Sequence, residues 1–163
     1  MIQKNKIGII GCGWLGFPLA KLLLNKNYLI KGSSTSKEKL LELENNKIDP
    51  YYIKINDKGI TGDINSFLEE IDILIINIPP KIKSLPTEKY SKKIQLLANK
   101  AEKRLIDKII FISSTSVYGS NQGKINSSTN PIPSSKNGVE ILQSEKIISK
   151  NKNCTIIRFG GLI

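Results

Sequence analysis

The chain contains no histidine. With it go the commonest metal ligand and the usual base of a serine-type triad. Cysteine is nearly as scarce. Cys12 and Cys154 stand too far apart and are too few for a disulfide framework, and Cys12 reads as a small packing residue inside a glycine loop. Of 25 basic residues only Arg104 and Arg158 are arginine, and aromatic residues make up 6% of the chain. Nucleic-acid surfaces use arginine for bidentate contacts and interleave aromatics for stacking. The net charge of +11 is therefore read as scattered lysine, and nucleic-acid binding is not expected. No apolar run reaches the length of a membrane span and no secretory h-region opens the chain, so a cytoplasmic protein off the membrane is expected.

What the chain has is alternation of strand and helix patterns over one expected domain, residues 1–163. Lys6–Ile10, Tyr28–Gly32, Tyr51–Ile55, Asp72–Ile78, Lys108–Ser113 and Cys154–Phe159 read as strands. Helices are expected at Trp14–Asn25, with Leu15, Leu19, Leu22 and Leu23 on one face, and at Lys37–Asn45 and Ile64–Glu70. Two more are expected at Glu88–Lys103, with Ile94, Leu97 and Ala101 inward, and at Val139–Lys150. Pro79-Pro80 ends the fourth strand, because neither residue can donate to a ladder. Residues Asn121–Asn137 read as an exposed loop. The pattern predicts an α/β, doubly wound Rossmann fold with a mostly parallel sheet of about six strands.

The sharpest motif is Gly11-Cys12-Gly13-Trp14-Leu15-Gly16, a G-x-G-x-x-G run between the first strand and the first helix. In that context Gly11 permits the tight turn, Gly13 lets the backbone approach a pyrophosphate, and Gly16 lets the helix pack close to the strand. The helix then presents free N–H groups and its positive end to the anion. Cys12, Trp14 and Leu15 share that loop, and Ile78, Pro79 and Pro80 at the fourth strand's end are expected beside the cofactor.

The second strand leads into Ser33-Ser34-Thr35-Ser36-Lys37, with no acid before Glu38. An NAD site places a carboxylate there for the ribose 2′-hydroxyl, whereas a 2′-phosphate calls for hydroxyls and a cation. The run reads as a cradle for NADP in preference to NAD; an ordinary serine N-cap would look much the same.

Phe111-Ile112-Ser113-Ser114-Thr115-Ser116-Val117-Tyr118-Gly119 carries a second signature. With the glycine loop and the closing Ile157-Arg158-Phe159-Gly160-Gly161-Leu162, it resembles the extended short-chain dehydrogenases/reductases, the epimerase/dehydratase group, in an atypical branch. The resemblance implies a dinucleotide cofactor and a small-molecule carbonyl or nucleotide-sugar substrate. It implies Ser114 as the serine that polarises the substrate, with Tyr118 a second candidate for chemistry. The family's proton-transferring tyrosine would fall at Asn137 and its lysine at Ile141, so that pair is absent. Extended members continue into a substrate-binding lobe where this chain stops at Ile163, which reads either as a fragment or as a naturally short protein. Two functions follow: a cofactor-binding module without the usual acid/base pair, or an oxidoreductase or epimerase-like enzyme using Ser114 and another acid.

Overall fold

The computed structural model describes residues 5–80 and 88–161; Leu162 of the closing run lies outside them. A six-stranded parallel sheet is built from β1 (Lys6–Ile10), β2 (Leu29–Ser34), β3 (Asp49–Tyr52), β6 (Ile73–Ile76), β7 (Lys108–Ser114) and β8 (Cys154–Phe159). Its order is β3-β2-β1-β6-β7-β8, so the winding reverses between β1 and β6. A short antiparallel hairpin, β4 (Lys54–Ile55) with β5 (Ile60–Thr61), stands apart from it.

Residue alternation on the strands sorts the core into two halves. Ile7 and Ile9 of β1 face one side, with Ile73 and Ile75 of β6 and Ile110 and Ile112 of β7. There they meet Ala20 of α1 (Gly16–Asn25) and Leu43 of α2 (Lys37–Asn45). Ile10, Leu74, Ile76, Ile109 and Phe111 face the other side. They are covered by α3 (Ile64–Leu68), α4 (Tyr90–Ala101) and α5 (Lys136–Ile148) through Phe67, Ile94, Leu97, Ala101 and Ile141. This is the doubly wound α/β architecture expected from the alternation.

Several elements depart from the expected spans, each for a visible reason. The strand read at Tyr51–Ile55 is split. Ile53 turns inward with its N–H on the carbonyl of Ser34, and Lys54–Ile55 leaves the sheet to form the hairpin. Helix α1 begins at Gly16 rather than Trp14, because Trp14 and Leu15 stay in the loop. Leu22 is 54% exposed, and the face carrying Ala20, Leu19, Leu23 and Leu24 packs instead. Helix α4 starts at Tyr90, where the Glu140 carboxylate accepts from the Ser91 N–H at 3.0 Å and its hydroxyl at 2.9 Å, a cap donated by α5. Helix α5 starts earlier than Val139, since the Ser135 hydroxyl accepts from the Gly138 N–H at 3.0 Å. Asn137 therefore belongs to the first turn of α5 and not to the preceding loop.

Candidate functional site

The C-terminal ends of the strands frame a cleft of about 850 Å³, at the place where the winding reverses. Its floor is the turn that follows β1. Gly11 there adopts φ of +99°, and a Cβ on it would lie 2.3 Å from the carbonyl oxygen of Asn77. Gly16 sits equally tight, with the Gly11 carbonyl 2.3 Å from where its Cβ would be. Gly13 is different: a Cβ there would meet nothing within 4 Å, and the residue lines the cleft. The turn is held from β2, since the Ser33 hydroxyl accepts from the Gly11 N–H at 3.0 Å and the Ser33 carbonyl from the Cys12 N–H at 2.8 Å. No side chain caps the start of α1. In its first turn the Phe17 and Leu19 N–H groups are taken by the carbonyls of Gly13 and Leu15, at 3.0 and 3.2 Å, and Pro18 has none, so what the helix offers an anion is its positive dipole end.

Gly11, Cys12, Gly13, Trp14 and Leu15 line the cleft, as do Ser33, Ser34 and Thr35 at the end of β2, Ile78, Pro79 and Pro80 after β6, and Ser114 at the end of β7. Trp14 is 69% exposed at this wall. Cys12 is buried, and that burial pushes its thiol up to about 12, so it packs as an uncharged group. Gly16 lies beneath the turn as helix-packing glycine and does not line the cleft.

Ser36 and Lys37 are not among the lining residues either. Ser36 is the N-cap of α2: its hydroxyl accepts from the Lys39 N–H at 3.3 Å and donates to Glu38 at 2.5 Å. That bond holds the Glu38 carboxyl below its ordinary range. Of the two readings of the serine run, the N-cap describes Ser36, while Ser33 through Thr35 reach the cleft.

Tyr118 is likewise not brought into the cleft. Its hydroxyl accepts from Arg158 Nη1 at 2.6 Å, and the guanidinium lies 5.1 Å from the ring centre. Arg158 also donates to both carboxylate oxygens of Glu145, at 2.9 and 2.7 Å, and Glu145 Oε1 accepts from the Ser113 hydroxyl at 2.5 Å. The carboxylate holds the guanidinium above its usual range. The string Ser113–Glu145–Arg158–Tyr118 ties β7, α5 and β8 together, and its Ser113 end lines the cleft. Ser114 faces the cleft while its hydroxyl accepts from the Ser116 N–H at 3.1 Å. Ile141 lines the cleft as well, and Asn137 does not.

Sequence reading missed two other parts of the lining. Tyr52 through Asn56 reach the cleft from the β3–β4 segment, and Glu88, Tyr90 and Lys93 from the start of α4. Glu88 and Lys93 form an ion pair there. The Tyr90 hydroxyl donates to the Ile78 carbonyl at 2.8 Å, and burial pushes its phenol pKa up. Among the described residues no cluster of histidine, cysteine, aspartate or glutamate could hold a metal, and no helix is long and apolar enough to cross a membrane.

Comparisons with known proteins agree with this geometry. The chain is 31% identical to Protein YeeZ of Escherichia coli K12, over 98% of this chain and 59% of that protein. It is 29% identical to the uncharacterized UDP-glucose epimerase YtcB of Bacillus subtilis, over 67% of this chain and 37% of that one. It thus spans about three fifths of YeeZ and less of YtcB. Among solved structures it resembles a UDP-glucuronic acid 4-epimerase from Bacillus cereus, solved with UDP-glucuronic acid and NAD. The TM-score is 0.72 at 25% identity, over 94% of this chain and 55% of that one. The domain is thus a Rossmann-like NAD(P)-binding domain with structural neighbours among nucleotide-sugar epimerases. A family model matches residues 6–107, more than half of the chain, and the chain belongs to that family, described as NADP oxidoreductase, coenzyme F420-dependent.

Proposed function

We propose that this domain holds NADP in the cleft, with NAD the poorer ligand, and that it lacks the tyrosine–lysine pair of the short-chain dehydrogenases. The observation that carries the reading is the contrast between the glycines of the turn. Gly11 and Gly16 are closed in by backbone, whereas Gly13, which lines the cleft ahead of an uncapped helix, leaves the space of a Cβ open. A pyrophosphate is the group that uses such a space. Gly11, Cys12, Gly13, Trp14 and Leu15 would hold it, with Gly16 setting the helix close beneath.

Ser33, Ser34 and Thr35 would meet the 2′-phosphate, helped by the charge of Lys37 and the Ser36-capped N-terminus of α2. Ile78, Pro79 and Pro80 would line the cofactor's path across the end of β6. When bound, the dinucleotide would supply or accept a hydride; the chain's own residues bind it, orient it and shield it from water.

Asn137 cannot exchange a proton at neutral pH and Ile141 offers no charge, so tyrosine-driven redox chemistry has no acid here. A second reading, an active NADP-dependent oxidoreductase or nucleotide-sugar epimerase-like enzyme, is favoured by one observation: Ser114 lines the same cleft. Its substrate would be a carbonyl compound or a nucleotide sugar. Two free cysteines, one buried at the glycine turn, support a cytoplasmic setting. Titration with NADPH, followed by nicotinamide fluorescence, tests the binding reading; a chain that leaves the fluorescence unchanged contradicts it.

A further inference from the structure

Two lysines are buried among the described residues, Lys31 and Lys93. The fold accounts for the first. Its ammonium donates to the carbonyl oxygens of Ser66 and Glu69, at 2.6 and 2.9 Å, and so closes the C-terminal end of α3. Lys93 is only 5% exposed, although Lys92, one position earlier on the same helix, is exposed. Its partner is the Glu88 carboxylate, and both residues line the cleft that holds the glycine turn.

Stability is a poor reason for a charge pair at this place. Desolvating two ions offsets most of their attraction, and apolar residues of similar size often serve as well. The cleft wall accepts apolar residues readily, as Ile112 and Ile141 show. A lysine beside a glutamate offers something they lack: an ammonium that donates and a carboxylate that accepts, side by side. The group that matches is a vicinal diol, one hydroxyl accepting from Lys93 and its neighbour donating to Glu88.

We propose that Lys93 and Glu88 form a diol-binding site in the cleft, for the hydroxyls of a ribose or another sugar. The inference rests on the cofactor reading above. NADP carries one free vicinal diol, on its nicotinamide ribose, because the 2′-phosphate occupies the other ribose. A nucleotide-sugar substrate is the second source of the same chemistry.

The test is isothermal calorimetry on the wild type, on Lys93→Met, and on the double variant Lys93→Met/Glu88→Gln. The double variant leaves no buried charge unpaired, and a thermal melt of each shows that it is folded. The probes are NADPH, adenosine 2′,5′-bisphosphate, which has no diol, and UDP-glucose added to the NADPH-loaded protein. If the cofactor provides the diol, NADPH binding weakens about tenfold in both variants while the bisphosphate binds unchanged, the loss expected for one charge-assisted hydrogen bond. If a sugar substrate provides it, NADPH binds unchanged and UDP-glucose weakens by a similar factor. Folded variants that bind NADPH as the wild type does, with no loss for UDP-glucose, overturn the diol site. A wild-type chain that binds neither NADPH nor the bisphosphate overturns the cofactor reading, and this inference with it.

Discussion

Gly11 and Asn77 interlock where the sheet reverses its winding. The Asn77 carbonyl occupies the space a Gly11 side chain would need, 2.3 Å from its Cβ position, and the Asn77 amide donates back to the Gly11 carbonyl at 3.0 Å. The Asn77 N–H in turn bonds the Ile10 carbonyl at 2.8 Å. The turn that forms the cleft floor is thus locked to the end of β6, and its shape is set before any ligand arrives.

Gly11→Ala should therefore damage the fold. Positive φ disfavours any side chain, and here the obstructing atom is backbone that cannot rotate away. A loss of about 3 kcal/mol is expected from the strain and overlap together. Urea denaturation measures it, and a variant as stable as the wild type would contradict the interlock.

The string from Ser113 to Tyr118 makes a second, graded prediction. Arg158→Met leaves Glu145, 4% exposed on its side chain, as an uncompensated buried charge, and should cost about 3 kcal/mol. Tyr118→Phe removes the hydrogen bond from Arg158 and a longer one to the Asn126 carbonyl at 3.4 Å, and should cost about 1 kcal/mol. Any slow NADPH oxidation, measured with carbonyl compounds and nucleotide sugars, should survive Tyr118→Phe, because that phenol is turned to Arg158. Robust turnover abolished by Tyr118→Phe would restore the enzyme reading with Tyr118 as its acid.

Alkaline pH should weaken the fold through its two thiols. Both ionise near 9.0 when unburied, whereas burial pushes Cys12 up to about 12 and Cys154 to about 11. Above pH 9 the unfolded chain releases these protons while the native one keeps them, so stability falls as pH rises through that window. Burial lowers the Lys31 amine, and its titration acts in the opposite sense, so the comparison needs a Cys12→Ala/Cys154→Ala chain. Urea midpoints at pH 8 and pH 10.5 should fall further for the wild type than for that variant. Equal falls would contradict the assignment.

Cofactor choice gives a fourth prediction. NADPH should bind more tightly than NADH, and Lys37→Glu should narrow the difference by setting a negative charge at the exposed start of α2, worth at most about 1 kcal/mol against a phosphate. Lys37 does not line the cleft, so its effect should act at a distance and shrink with added salt. A wild type that prefers NADH contradicts the NADP reading.

Local patterns carry much of this architecture. Helix α2 and strand β8 lie at the spans their periodicity predicts, and Ile94, Leu97 and Ala101 face inward as their spacing requires. The β4–β5 hairpin was hidden, because two-residue strands have no periodicity; its turn depends on Asn56, whose side chain accepts from the N–H groups of Lys58 and Gly59. Lys136-Asn137-Gly138 looks like loop in sequence, and only the Ser135 cap shows that α5 begins there. The glycine side of the cleft is contiguous in sequence and so was legible. The rest of the lining is assembled from residues far apart in the chain, and nothing local separates buried Lys93 from exposed Lys92.

The central claim, that the open side of Gly13 is where a dinucleotide's pyrophosphate lies, is tested most directly by titrating wild type and Gly13→Val with NADPH under nicotinamide fluorescence. A Cβ at this position would meet nothing within 4 Å, so the variant should melt like the wild type. It should bind NADPH more than about tenfold more weakly, because the valine stands where the phosphates would approach the backbone. A folded Gly13→Val chain that binds NADPH as tightly as the wild type would contradict the account.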